Sequence, residues 1–154
     1  MSKEMIEISK EITFEAAHYL HNPAWSRAKN LDVFGRCSGF RADDARAKDY
    51  PHGHSYRLGV TVKGPVHKDT GFVVDFRRLK EILNDEVRTR YDHRFINKEV
   101  EPFRSNPALQ PTAENIARDL WKRLTPRLKK EGTIPVAMTL WESDSSSVTY
   151  RGGK

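Results

Sequence analysis

His52-Gly53-His54-Ser55-Tyr56-Arg57-Leu58-Gly59-Val60-Thr61-Val62 alternates along its length, with His52, His54, Tyr56, Leu58, Val60 and Val62 on one side. A period of two marks a half-buried strand, because successive side chains on extended backbone point to opposite faces. Lys63-Gly64-Pro65 stops it, since Gly and Pro both interrupt a ladder. An earlier segment repeats the pattern. Ile12, Phe14, Ala16 and His18 share one face, and Thr13, Glu15 and Ala17 take the other. Two strands therefore carry histidine on their apolar faces.

Two helices follow. Asp75 is placed to cap a helix whose Phe76, Leu79, Ile82, Leu83 and Val87 recur at helical spacing. Pro111-Thr112 opens the second, with Ile116, Leu120, Trp121 and Leu124 as its stripe and Pro126 at or near its end. Asp92 to Gln110, with Pro102 and Pro107, reads as loop. Two more strands, Val136 to Glu142 and Val148 to Arg151, flank a Ser/Asp-rich turn at 143–147. The order ββααββ predicts an α+β fold with an antiparallel sheet and both helices on one face. No linker or repeat divides the chain, so a single domain over residues 1–154 is expected. Residues 22–51 show no period and are long for a structureless loop, which directs attention there for function.

At 37% hydrophobic and 31% charged, the 154 residues make a thin core, and self-association is a natural way to bury more apolar surface. No apolar run approaches the roughly 20 residues that span a bilayer, the N-terminus lacks a signal-peptide pattern, and the single Cys37 forms no intrachain disulfide. A cytoplasmic protein without membrane contact is the expectation. The formal charge of +6 suits an anionic partner. Its densest basic stretches, Arg77-Arg78-Leu79-Lys80 and Arg127-Leu128-Lys129-Lys130, lie inside helical patterns as solvated faces, so a small polyanion is favoured over nucleic acid. A basic RNA-binding module is the alternative from a different class.

His52 and His54, two apart on a strand, project from one face toward a common point. With His18 they supply three imidazoles and leave an open fourth position, the donor set of a catalytic zinc. The competing account is three half-buried, hydrogen-bonded rings. Cys37 sits among Gly35, Arg36, Ser38 and Gly39, where nearby positive charge is expected to lower the thiol pKa, although a lone cysteine is commonly a small buried hydrophobe. Asp92-His93 has the makings of an acid–base dyad, or of a simple turn. Glu142 continues the apolar face of Val136, Met138 and Leu140, and its two oxygens match two N–H donors of a guanine-like ring. Glu114 stands in a first helical turn, where acids are favoured in any case.

Phe14-Glu-Ala-Ala-His18, Phe34-Gly-Arg-Cys37, His52-Gly-His54-Ser-Tyr56, Gly71-Phe-Val-Val-Asp75-Phe76, Asp92-His93, Pro111-Thr112-Ala-Glu114-Asn115 and Trp141-Glu142…Tyr150-Arg151-Gly152 together resemble the 6-pyruvoyltetrahydropterin synthase family. That family includes the 6-carboxy-tetrahydropterin synthases of queuosine biosynthesis. The resemblance implies the tunnelling fold, with ββααββ subunits closing into a barrel, trimers stacking into a hexamer and active sites between subunits. It also implies that His18, His52 and His54 bind zinc and that Cys37, Asp92 and His93 move protons. Glu142 would hold the pterin, with Thr112 and Glu114 lining its pocket. The implied substrate is 7,8-dihydroneopterin triphosphate. One product is 6-carboxy-5,6,7,8-tetrahydropterin, released with acetaldehyde and triphosphate; the other is the 6-pyruvoyl compound, formed by triphosphate elimination. The carboxy-forming branch is the expectation and the pyruvoyl-forming branch the alternative. Fourteen residues, Ser38 to Pro51, separate Cys37 from His52, more than is usual in the family, and Phe40–Tyr50 is expected to form a short helix.

Overall fold

The computed structural model describes residues 4–153. In chain order its elements are β1 (Met5–His18), α1 (Arg27–Phe34), a 3₁₀ turn (Gly35–Cys37), β2 (His52–Pro65), α2 (Phe76–Leu83), a π turn (Asn84–Arg88), α3 (Thr89–Tyr91), β3 (Arg94–Phe95), α4 (Ile96–Glu99), α5 (Ala113–Lys130), β4 (Ile134–Ser143) and β5 (Ser146–Tyr150).

The two alternating segments pair with each other. β1 and β2 run antiparallel from Met5 opposite Pro65 to His18 opposite His52. β4 pairs with the far side of β2 and β5 with β4, both antiparallel. The expected all-antiparallel sheet is corrected at one edge: β3 joins β1 in parallel beside Ala16 and Ala17, giving the order β3-β1-β2-β4-β5. Two residues of strand are too short to show a period, which is why the segment after Asp92 reads as loop.

The strand faces are as expected. Ile12, Phe14, Ala16 and His18 are buried, as are Tyr56, Leu58, Val60 and Val62. They meet Leu79 and Ile82 of α2 and Ile116, Leu120 and Leu124 of α5 in one apolar layer. Burying a side chain such as Leu120 contributes roughly 1.5–3 kcal/mol. The reverse face is polar, with Ser9 bonded to Thr61 at 2.7 Å and Arg57 paired to Glu11.

The caps follow the side chains. Asp75 accepts from the Arg77 N–H at 2.8 Å and starts α2, although Phe76 itself is exposed. Thr112 accepts from the Asn115 N–H and starts α5. Pro126 does not end α5, which continues to Lys130. Leu124 and Leu128, both buried against the sheet, hold the turn across the missing donor, and the Thr125 hydroxyl is left without a partner.

Residues 22–51 contain α1, capped by Ser26, and the 3₁₀ turn that carries Cys37. Only Asn30 of α1 is buried, so the helix has no apolar stripe to read. The Asn30 amide bonds the backbone of Asn22, Trp25 and Ser26 instead. Phe40–Tyr50 is a run of turns with an Arg41–Asp44 bridge, in place of the expected helix. No helix among the described residues is long and apolar enough to cross a membrane.

Candidate functional site

The β1–β2 register sets His18 directly across from His52, and the period of two puts His54 beside them. Ring centroids lie 4.5 Å apart for His18 and His52, 5.1 Å for His18 and His54, and 4.9 Å for His52 and His54. One ring nitrogen from each lies within 4.8 Å of the others.

His18 Nδ1 donates to the carbonyl of Pro111 at 2.7 Å, which leaves the Nε2 lone pair free. Among the described residues, six buried side-chain polar atoms lack a hydrogen-bond partner. Four of them are His18 Nε2, His52 Nδ1 and Nε2, and His54 Nε2. Orphaned buried nitrogens cost about 1–3 kcal/mol each, so this is no set of satisfied core histidines. His18 and His52 are also held neutral, as metal ligands must be. Burial takes His18 down to about 4 against the raising effect of the Pro111 carbonyl, and burial followed by His54 lowers His52. Three converging imidazole nitrogens without hydrogen-bond partners fit a borderline cation such as zinc.

A cavity of about 390 Å³ opens beside His18 and brings together Cys37, Thr112, Glu114 and Glu142, with Ser146, Ser147 and Val148 of β5 as a wall. β4 is bulged here: Trp141 pairs with Ser147 and Ser143 with Ser146, so Glu142 is the extra residue, unpaired in the ladder to β5, and it keeps the face it shares with Leu140. Its Oε1 lies 3.6 Å from His54 Nε2. Cys37 is half-buried, and burial together with the Glu142 carboxylate raises its thiol pKa. The expected lowering is corrected: Glu142, a negative charge, lies across the cavity from the thiol.

Asp92 and His93 do form a pair, His93 Nδ1 lying 3.2 Å from Asp92 Oδ1. The Glu15 N–H donates to Asp92 at 2.8 Å and is the largest cause of that carboxyl's lowered pKa. His93, at φ 57°, is exposed and borders a different cavity beside Ala17, Gly53 and His54. Within one chain the dyad stays apart from Cys37. The dyad is bonded to Glu15 within β1, whereas Cys37, whose carbonyl accepts from the Leu20 N–H at 2.7 Å, lies past the end of β1 and borders another cavity.

Two contributors escaped the sequence reading. The Pro111 carbonyl orients His18, but a backbone acceptor leaves no residue-type signal. Tyr56, buried beneath the rings, has its hydroxyl 3.4 Å from His18 Nδ1, yet in sequence it reads only as a core residue.

Residues 7–153 match the family model described as 6-pyruvoyl tetrahydropterin synthase. The chain belongs to this family. It is 34% identical over 145 residues to a 6-pyruvoyl tetrahydrobiopterin synthase of Drosophila melanogaster, covering 94% of this chain and 79% of that one. A 6-carboxy-5,6,7,8-tetrahydropterin synthase of Haemophilus influenzae is 27% identical over 165 residues, covering 96% and 99%. The structure of the Caenorhabditis elegans 6-pyruvoyl tetrahydropterin synthase superposes with a TM-score of 0.83 at 28% identity, covering 99% and 100%. The Caenorhabditis elegans 6-pyruvoyl tetrahydropterin synthase thus has the fold described above.

Proposed function

We propose that this family member is a zinc-dependent lyase acting on 7,8-dihydroneopterin triphosphate, with 6-pyruvoyltetrahydropterin as product. The observation that carries the reading is the convergence of three imidazoles with unpartnered ring nitrogens beside a cavity that holds Cys37 and Glu142. The product follows the name borne by the Drosophila relative and the nematode structure, together with Phe34-Gly-Arg-Cys37. Carboxy formation, first in the sequence reading, becomes the second reading, favoured by the Haemophilus relative.

His18, His52 and His54 would hold the zinc, which when bound supplies Lewis-acid polarisation of side-chain oxygens. Glu142 accepts two N–H donors of the pterin, with Thr112 and Glu114 shaping that end of the cavity. Those donors offset the charge that raises the Cys37 pKa, so substrate binding itself favours the thiolate. Cys37 then takes a proton from the side-chain carbon. His93, oriented by Asp92, returns one as general acid, and triphosphate departs.

For His93 to reach the reacting carbon it must come from a neighbouring copy. Head-to-tail pairing of the β3 edge with the β5 edge of the next subunit closes a ring and removes both exposed edges. The hexamer expected from the family, a dimer of trimers, has this closure. Many of the arginines are already committed to carboxylates, Arg57, Arg78, Arg94, Arg104, Arg123 and Arg127 among them, which argues against an RNA-binding surface.

Mass analysis of the products after incubation with 7,8-dihydroneopterin triphosphate tests the proposal. A pyruvoyl pterin supports it, acetaldehyde with a carboxy pterin moves it to the second reading, and unchanged substrate defeats both.

A further inference from the structure

Gly35-Arg36-Cys37-Ser38 forms a partition between two cavities. On one side lies the cavity with Cys37 and Glu142; on the other lies one of about 720 Å³, bounded by Arg36, Phe40, Arg41, Tyr50 and His52. The imidazole cluster therefore fronts both, with His18 in the first and His52 in the second.

The second cavity owes its outer wall to residues 38–51, and one side chain gathers that wall. Arg27 of α1 donates to the carbonyl of Ala47 at 2.9 Å, of Arg41 at 2.7 Å and of Asp44 at 2.9 Å. Its guanidinium also lies 4.7 Å from the Phe40 ring centroid. A planar fork with several fixed donors can span three separate carbonyls; an ammonium cannot do so in the same geometry.

The charges in this cavity are unequal. Arg41 is committed to Asp43 through two bonds, at 3.1 and 3.0 Å, and lies over the Tyr50 ring, so the pair is neutral together. Arg36 has no carboxylate or carbonyl partner among the described residues and is exposed to the cavity. An open guanidinium beside a built wall suits a phosphate chain.

We propose that this second cavity is the triphosphate subsite, with Arg36 as its contact and Arg27 as the positioning residue that holds its wall. The assignment rests on the substrate proposed above. With the pterin end at Glu142 and the hydroxylated side chain at the imidazoles, the phosphates fall on the His52 side of the partition.

Calorimetric titration of the protein as isolated, with three probes, tests this. Inorganic triphosphate and 7,8-dihydroneopterin triphosphate should both bind about tenfold or more weakly to Arg36→Ala, with partial recovery in Arg36→Lys. The phosphate-free 7,8-dihydroneopterin should bind wild type and Arg36→Ala within about twofold of each other. Arg27→Lys should raise KM for the triphosphate substrate severalfold at nearly constant kcat. An unchanged inorganic-triphosphate affinity in Arg36→Ala, or equal weakening of the phosphate-free pterin, overturns the subsite while leaving the lyase reading intact. Inorganic triphosphate bound through Arg36 in a protein that takes no pterin would do the reverse.

Discussion

The imidazole of His18 donates a hydrogen bond from Nδ1–H to the carbonyl of Pro111, 2.7 Å away, and turns Nε2 toward His52 and His54. One backbone acceptor thereby settles the tautomer of the most buried ring in the cluster, because a carbonyl can only accept. The other two rings bring further unpartnered nitrogens to the same point.

Metal content gives the most direct check. Replacing His52 or His54 with Ala leaves two donors, and we expect bound zinc to fall from about one per chain to near zero by elemental analysis. Equal zinc in variant and wild type would remove these residues from the ligand set.

Stability of the metal-free protein should depend on pH in a defined window. His18 is lowered to about 4 from 6.5, so between those values the unfolded chain binds the proton first. Stability is full above about 6.5 and is lost as the pH falls toward 4, by up to roughly 3 kcal/mol. Thermal melts in chelator across this range check it; a flat profile contradicts it.

Cys37 and Glu142 are electrostatically linked, since the carboxylate raises the thiol pKa. Glu142→Gln should therefore lower that pKa and speed alkylation of Cys37 by iodoacetamide at pH 8, on the order of severalfold. A slower reaction would mean that the carboxylate does not act on the thiol. Cys37→Ala should melt like wild type while turnover drops by about a hundredfold or more.

The separation of His93 from Cys37 within one chain predicts complementation. Cys37→Ala and His93→Ala should each be inactive. A one-to-one mixed assembly should recover about a quarter of the sites, because each site draws one residue from each neighbour. No recovery in verified mixed assemblies would place both residues outside a shared site.

Much of this was legible in the order of the residues. The faces of β1 and β2, the caps Asp75 and Thr112, and the core residues Leu79, Ile82, Ile116 and Leu120 all follow from local periodicity. The helix α1 was not legible, because it buries only Asn30 and has no stripe. Pro126 lies near the end of α5, as expected, but does not end it, because burial of Leu128 carries the helix through one further turn to Lys130. The thiol's surroundings misled: Gly35, Arg36 and Gly39 are its neighbours in sequence, but Glu142 is its neighbour in space.

From residue order alone came the α+β class, the co-facing histidines and the family. Backbone geometry imposes periods of two and 3.6 on any chain, so such patterns survive without knowledge of distant partners. Folding alone decided that His18 faces His52, that Glu142 comes within reach of His54 and Cys37, that Arg27 gathers residues 38–51, and that Asp92-His93 and Cys37 border different cavities. Each depends on which segments pair across long stretches of chain, and strand register and electrostatic environment are properties of that pairing.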